Sequence, residues 1–472
     1  MAIRLEKRTV AIAAVLAAMV LVVLDGAIVN VALPTIGRSL HATPAMAVWV
    51  VTAYQAALVM VLLPCAALGE SLGHRRVFNA GVVIFIVTSA LCALSPSMSW
   101  LIAARFLQGL GGAALMALGL ALLRFVVPHH QVAAAISWTA MVVAMTSAAG
   151  PAIGAAILSA TSWPWLFAVN VPVGVLVLLA ARALPDVKGT SRPLDLWSAV
   201  LNAAAFAAFL IGAEWLPERA GVAVALLAVS GIAMTTLVRR EMLKEAPLIP
   251  LDLLRSHSFR ISVMASVMCF TGMTIGMLAL PFYLQHGLGQ DAWTTGLYLT
   301  PWPLTTAIAA PLTGRFATQD SSAWLCTVGG VVLTAGLLAA ALWPLHGQAL
   351  PLAFFTMICG LGFGLFQVPN NRNMLLSAPR ERSGAAGGMQ GTARLTGQTA
   401  GAIIMTLLFT LTSVDAAPRV GLAAASLLTL AAGLVSTLRA RSITGMPVRP
   451  ADMPPAAGTK PLPRPGEETM RL

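Results

Sequence analysis

An all-α membrane protein crossing the bilayer fourteen times is the fold class this sequence predicts, on three observations. Hydrophobic residues make up 58% of the 472 and charged ones only 10%, against roughly 25% charged in an average soluble domain. Apolar windows of about 20 residues recur nearly end to end, each enough to cross a hydrocarbon core of roughly 30 Å as a helix. No soluble fold buries so many consecutive helices of this kind. The 29 Lys and Arg collect in alternate connections, as the positive-inside rule requires. That placement also accounts for the net charge of +12: it reads as membrane topology, and no nucleic-acid partner is expected.

The first span, 10–32, follows Arg4, Lys7 and Arg8, which places the N-terminus in the cytoplasm. Its apolar run exceeds the h-region of a cleaved signal and is expected to remain as a helix. Spans 47–68 and 76–94 are joined by an inner loop holding Arg75 and Arg76, and Trp49 marks the outer end of the second. Span 99–123 runs from Trp100 to Arg124. Spans 131–158 and 164–183 meet outside at Trp163 and Trp165, and the latter ends at Arg182. Two hydrophilic connections, 184–195 and 239–258, flank the pair 196–213 and 220–238, with Trp215 between them. Six more spans follow: 259–284, 293–315, 322–343, 349–377, 385–411 and 419–438, with Trp293 and Trp343 at outer boundaries. Trp at these outer boundaries is the interfacial belt expected of such a protein.

On this layout 24 basic residues lie inside, three outside (Arg38, Arg219, Arg419) and two within spans (Arg105, Arg394), so both termini are expected in the cytoplasm. Residues 442–472 carry seven prolines among polar residues and read as a disordered cytoplasmic tail. The five cysteines are scattered through apolar segments without CxxC or CxxH spacing; they read as small core residues, with no metal site and no disulfide framework.

Asp25 interrupts the first span in AMVLVVLDGAIVNVALP, residues 18–34, with Asn30 and Pro34 after it. A carboxylate deep in hydrocarbon must neutralise, pair or face water, so it marks a functional-site candidate. Arg105 lies in span four at a matching depth, both residues roughly 9 to 11 Å below the outer boundary at 1.5 Å per residue. Mutual pairing is the cheapest arrangement for both. The pair is either a structural lock or a working part. Beside Arg105, Gly109, Gly111 and Gly112 are small enough for close helix approach, and Gly150 and Gly154 repeat the device around Pro151, which should bend span five.

These motifs together resemble those of the major facilitator superfamily, most closely its fourteen-helix drug:proton antiporter branch, over Thr9 to about Arg441. LDGAIVNVALP (24–34) resembles that branch's first-helix motif, RFLQGLGGAA (105–114) the fourth-helix motif whose Arg is associated with proton coupling, and GPAIGAAI (150–157) the antiporter motif of helix five. WPWLFAVNVPVG (163–174) is similar to the entry of helix six, with Pro164 where a basic residue is common. LGESLGHRR (68–76) resembles the superfamily's cytoplasmic signature: Gly69, Glu70, Gly73, Arg75 and Arg76 fall on it, with Glu70 in place of the usual Asp and His74 at an often basic place. Glu70 either keeps the gating contact or simply pairs with Arg75 or Arg76.

The resemblance implies the major facilitator fold: a six-helix bundle over 1–183, a linker with two additional helices over 184–258, a second six-helix bundle over 259–441 and the tail, rocking about a central site. It implies a proton-coupled multidrug exporter of the cell (inner) membrane, functional as a monomer, driven by the proton gradient without a cofactor, with small amphipathic molecules, protons and the bilayer as partners. Moving Arg105 or admitting water would change how readily Asp25 takes a proton, so Asp25 and Arg105 are the coupling candidates. Candidates for the substrate cavity, expected to be mainly apolar with few polar groups, are Asn30, Tyr54, Gln55, Gln108, Tyr283, Trp302, Gln367, Asn370 and Arg394. Packing is the competing role for Tyr54, Gln55, Tyr283 and Trp302. Pro301 and Pro303 around Trp302 predict a kink there. Arg394 has no obvious carboxylate among the later spans; it either bonds carbonyls near a broken helix or faces the cavity, and in the cavity it favours anionic or zwitterionic substrates. Two other readings stay open: export of an endogenous metabolite or siderophore, and a non-transporting receptor or scaffold of the same fold. No Ser/His/Asp set, HExxH or phosphate-cradling loop points to an enzyme.

Overall fold

A computed structural model describes residues 2–128, 131–186, 195–216, 219–242, 251–316, 321–344, 348–378 and 383–443. Residues 187–194 and 243–250 of the two hydrophilic connections and nearly all of the proline-rich tail lie outside them. The described residues form helices and turns without strands.

The first four helices are α1 (Ala2–Ser39), α2 (Pro44–Leu72), α3 (His74–Ala93) and α4 (Met98–Val126). Side chains cap the starts of α2 and α4: Thr43 accepts from the Met46 N–H and Ser97 from the Trp100 N–H, each satisfying one of the free donors of a first turn. Gly73, at φ 102°, ends α2 and opens α3 in one residue, a backbone state that only glycine adopts cheaply. Helix α1 runs seven residues beyond the expected end of span one, through Pro34 and about 10 Å further. The N-terminal part continues with α5 (Val132–Ala160), which contains Pro151, and with α6 (Trp165–Ala168) and α7 (Asn170–Ala180).

Next come α8 (Leu196–Glu214), capped by Asp195 through the Ser198 N–H, and α9 (Ala220–Met242), whose last turn carries Arg239 and Arg240. Cations there suit the negative end of the helix dipole. The C-terminal helices are α10 (His257–Phe282), α11 (Ala292–Leu299), α12 (Pro301–Phe316), α13 (Ser321–Leu342), α14 (Leu350–Leu376), α15 (Ser383–Leu411) and α16 (Ala416–Ile443). At the expected kink the chain breaks into α11 and α12 at Thr300, directly before Pro301. Thr300 itself keeps helical backbone, at φ −58° and ψ −35°; the interruption comes from Pro301 and Pro303, which offer no N–H to continue the ladder.

Ten described helices are long and apolar enough to cross a membrane, and Met145–Ala160 and Trp197–Ala213 are shorter apolar ones. The tenth expected span falls short because it is broken at Thr300. The thirteenth, in α15, is diluted by Gly, Thr, Gln and Arg394 in its first half.

Helices α1 to α7 pack chiefly on one another, as do α10 to α16. The main contacts that join the two sets are α2 with α15, α5 with α11 and with α12, and α1 with α10 and with α11. Helix α8 docks on this seam, where Leu210 and Ala213 pack with Ala56 of α2 and Ile403 of α15, and Asn202 Nδ2 donates to Met60 O at 2.7 Å. Large apolar side chains such as Ile232, Trp197 and Leu427 point outward, 67 to 69% exposed, as suits a surface that meets hydrocarbon.

Candidate functional site

Asp25 is fully buried, and its carboxylate is the centre of a polar knot tying α1, α3, α4 and α7 together. Arg105 Nη1 donates to Oδ2 at 2.5 Å, Gln108 Nε2 to Oδ1 at 3.1 Å and Asn170 Nδ2 to Oδ1 at 2.6 Å. Arg105 also gives Nε to Val50 O at 3.1 Å, which adds α2, and Nη1 to Gln108 Oε1 at 2.6 Å. Gln108 Nε2 donates on to Ser89 Oγ at 2.8 Å. A buried ion pair is tolerable when its remaining lone pairs and protons are met in this way.

Aromatic rings cover the guanidinium, with Tyr54 4.1 Å and Phe167 5.5 Å from its central carbon to their centroids, within the range where a ring face attracts a cation. Small residues bring the helices close enough. A Cβ at Gly109 would lie 2.5 Å from Tyr54 O, one at Gly111 2.8 Å from Gly81 O, and one at Gly112 3.0 Å from the Tyr54 hydroxyl. The glycines of α4 thus let its backbone meet α2 and α3 beside the ion pair.

Next to the knot, a cavity of about 190 Å³ opens between the N-terminal and C-terminal helices. Arg105 and Tyr54 reach its wall; Asp25 does not. The other polar residues on it are Asn30, Gln55, Ser147, Thr274, Arg394 and Gln398, among apolar groups that include Met116, Met273, Met277 and Leu299. Several polar atoms here are buried without a partner: Asn30 Oδ1, Gln55 Oε1, Thr274 Oγ1, Arg105 Nη2 and Arg394 Nε. Such atoms cost free energy until a ligand or water meets them.

Of the residues singled out from the sequence, Asn30, Tyr54, Gln55 and Arg394 therefore share one cavity, and Gln108 sits behind it in the Asp25 knot. Tyr283 lies elsewhere, donating to Trp343 O at 2.6 Å. Trp302, 1% exposed, is packed among the C-terminal helices because Gly276 leaves room for its ring: a Cβ there would be 3.1 Å from it. Asn370 is buried and ties α14 to α10 through Ser262 O at 3.1 Å, and Gln367 is half-buried on α14 away from the cavity wall.

The Gly150–Gly154 segment is wedged between the two sets of helices. Gly150 faces Ala27 and Gly154 faces Ile28 of α1, while Pro151 lines the cavity and its carbonyl meets Gly296 of α11, where a Cβ would lie 2.8 Å away. In the α2–α3 turn, Gly69 is packed on Leu118, Gly73 makes the reversal, Glu70 and Arg76 are exposed and Arg75 is half-buried. At the C-terminal end of α1 a polar contact joins the helix sets. Gln285 Oε1 accepts from Arg38 Nη2 at 3.1 Å and Thr35 Oγ1 at 3.4 Å, and its Nε2 donates to Val31 O at 3.0 Å.

Sequence reasoning did not single out Asn170, Ser89, Ser147, Thr274, Gln285 or Gln398. Asn170 and Gln285 are amides inside apolar runs and carry a weak version of the signal that found Asp25. Ser and Thr carry almost none, because they also satisfy themselves on their own helix's carbonyls, as Thr88 does on Ile84 O.

The family model of the Major Facilitator Superfamily matches residues 15–402. The chain is 43% identical to the uncharacterized transporter YebQ of Escherichia coli (strain K12), over 92% of this chain and 96% of that protein. It is 31% identical to the tetracenomycin C resistance and export protein of Streptomyces glaucescens, over 84% of this chain and 74% of that one. Its fold matches the crystal structure of a POT family transporter in complex with a thioalcohol-conjugated peptide, with a TM-score of 0.71 at 13% identity, covering 92% and 96% of the two chains. A family match over most of the length, joined to an all-helical fold with many membrane-crossing helices, makes this multi-pass membrane protein a member of the Major Facilitator Superfamily of transporters.

Proposed function

We propose that this transporter is a proton-coupled exporter of small amphipathic molecules, of the fourteen-helix drug:proton antiporter branch, working by alternating access. The observation that carries this reading is the buried Asp25–Arg105 pair at the edge of a cavity between the two helix sets. The guanidinium holds the one carboxylate it meets among the described residues, its Nη2 has no partner, and the side chain lines the cavity. Protonating Asp25 removes the charge that fixes Arg105, and a moved Arg105 alters the cavity; ligand and proton then act on one side chain, which is what exchange requires.

In this reading the units over 1–183 and 259–441 rock against each other along the α2–α15 and α5–α11 contacts, with α8 and α9 of 184–258 as the two added helices. The basic inner connections support cytoplasmic termini in an inner membrane, which puts the Gln285–Arg38 contact on the outer side and makes this an outward-closed state. Glu70, Arg75 and Arg76 then lie at the cytoplasmic gate. The export named for the Streptomyces relative supports the direction of transport.

The test is Asp25→Asn in proteoliposomes carrying an imposed pH gradient. Asn keeps the shape and loses the titrating oxygen, so the variant should remain folded and lose gradient-driven transport by at least about a hundredfold. Proton-driven transport at the wild-type rate would sink Asp25 as the coupling site.

A further inference from the structure

The cavity favours one sign of charge. Two guanidinium groups edge it, Arg105 and Arg394, and among the described residues no carboxylate does. Arg105 is already committed to Asp25. Arg394 forms no ion pair with any described residue, and its buried Nε has no hydrogen-bond partner. A cation held in a largely apolar site without a counter-ion is a standing cost that an arriving anion relieves. Guanidinium is also the side chain whose fork of N–H donors fits carboxylate-like groups in two-point contact.

Gln398 lies one turn along α15 from Arg394 and lines the same wall, the spacing that puts two side chains side by side on a helix. On the same lining, Asn30 Oδ1 and Gln55 Oε1 are buried acceptors without partners. They can take an N–H or O–H of a ligand. The remaining wall is apolar, and Met116, Met273 and Met277 give it thioether side chains that adapt to different shapes.

We propose that Arg394 is the anchor of a ligand subsite and that this site takes amphipathic anions, with a carboxylate, phenolate or sulfonate borne on a small apolar body, in preference to cations. The inference rests on reading this cavity as the transport site.

Full-length protein in lipid nanodiscs, titrated with dansylglycine, dansylamide and dansylcadaverine, compares an anion, a neutral molecule and a cation on one fluorophore, with empty nanodiscs subtracted. The wild type should bind dansylglycine at least about tenfold more tightly than dansylcadaverine, the scale of one charge-assisted hydrogen bond. Arg394→Gln should lose that preference, while Arg394→Lys, which keeps the charge, should retain most of it. Tighter binding of the cation, no dansylglycine binding above empty nanodiscs, or an undiminished anion preference in Arg394→Gln overturns the proposal. If Arg394→Gln does not fold, the wild-type ranking and the Lys variant still decide it. Proton flux in proteoliposomes separates this inference from the transport reading. Anion binding without coupled flux leaves the subsite standing and removes the exporter, and coupled flux with cation-selective binding does the reverse.

Discussion

Arg105 offers five N–H donors in a rigid plane, and its neighbours use them unequally: Val50 O takes Nε, Asp25 and Gln108 share Nη1, and Nη2 is left over. Lysine has one compact ammonium and cannot reach Val50 O and Asp25 in that geometry. Arg105→Lys should therefore keep the charge yet lose most gradient-driven transport, roughly tenfold or more, in the proteoliposome assay. Asn170→Leu removes a donor from a buried carboxylate and should destabilise the protein by about 1–3 kcal/mol, seen as a lower thermal midpoint in detergent. Asp25 and Arg105 were legible in the sequence because charges in hydrocarbon are rare and depth along a helix can be counted. Asn170 and Gln108 were not legible as partners, since contact depends on how each helix is rotated about its axis, and uniformly apolar spans carry little periodic signal to fix that rotation.

At the level of the helix, glycines decide which backbones touch. A Cβ at Gly150 would fall 2.3 Å from Ala27 Cβ, whereas one at Gly26, on the neighbouring helix, meets nothing within 4 Å. Gly150→Ala should thus cost about 1–3 kcal/mol through overpacking. Gly26→Ala should be neutral or gain up to about 1 kcal/mol from the stiffer helix. Thermal unfolding of the two variants side by side checks the contrast. The sequence announced both glycine motifs but not which backbones they approach, and the structure shows α5 meeting α1 and, through Gly296, α11. Proline punctuation was easier to read: Pro301 and Pro303 interrupt the tenth span because the loss of a backbone N–H is a local effect.

For the whole molecule, Gln285 gathers three hydrogen bonds from α1 across the seam between the helix sets. Gln285→Leu removes all three and should shift the population toward a state open on that side. A cysteine placed at Asn30 should then react several-fold faster with a membrane-impermeant maleimide, over a low background because all five native cysteines are buried. Unchanged labelling would show that the contact does not hold the seam. The gross architecture was legible from apolar windows and basic connections, forces that act along the whole chain. The polar first half of α15 shows where that reading weakens: a helix that lines a cavity can carry Arg394 and Gln398 and still lie in the membrane. Where α5 meets α11, Gly296 lies directly against the Ala155 methyl and the Pro151 carbonyl, with no larger side chain at that point. Such a surface works as a plain bearing. In the proposed rocking motion no large side chain at this point has to climb out of a socket for one half to roll on the other, which leaves the Gln285 contact with α1 as the latch that sets the pace.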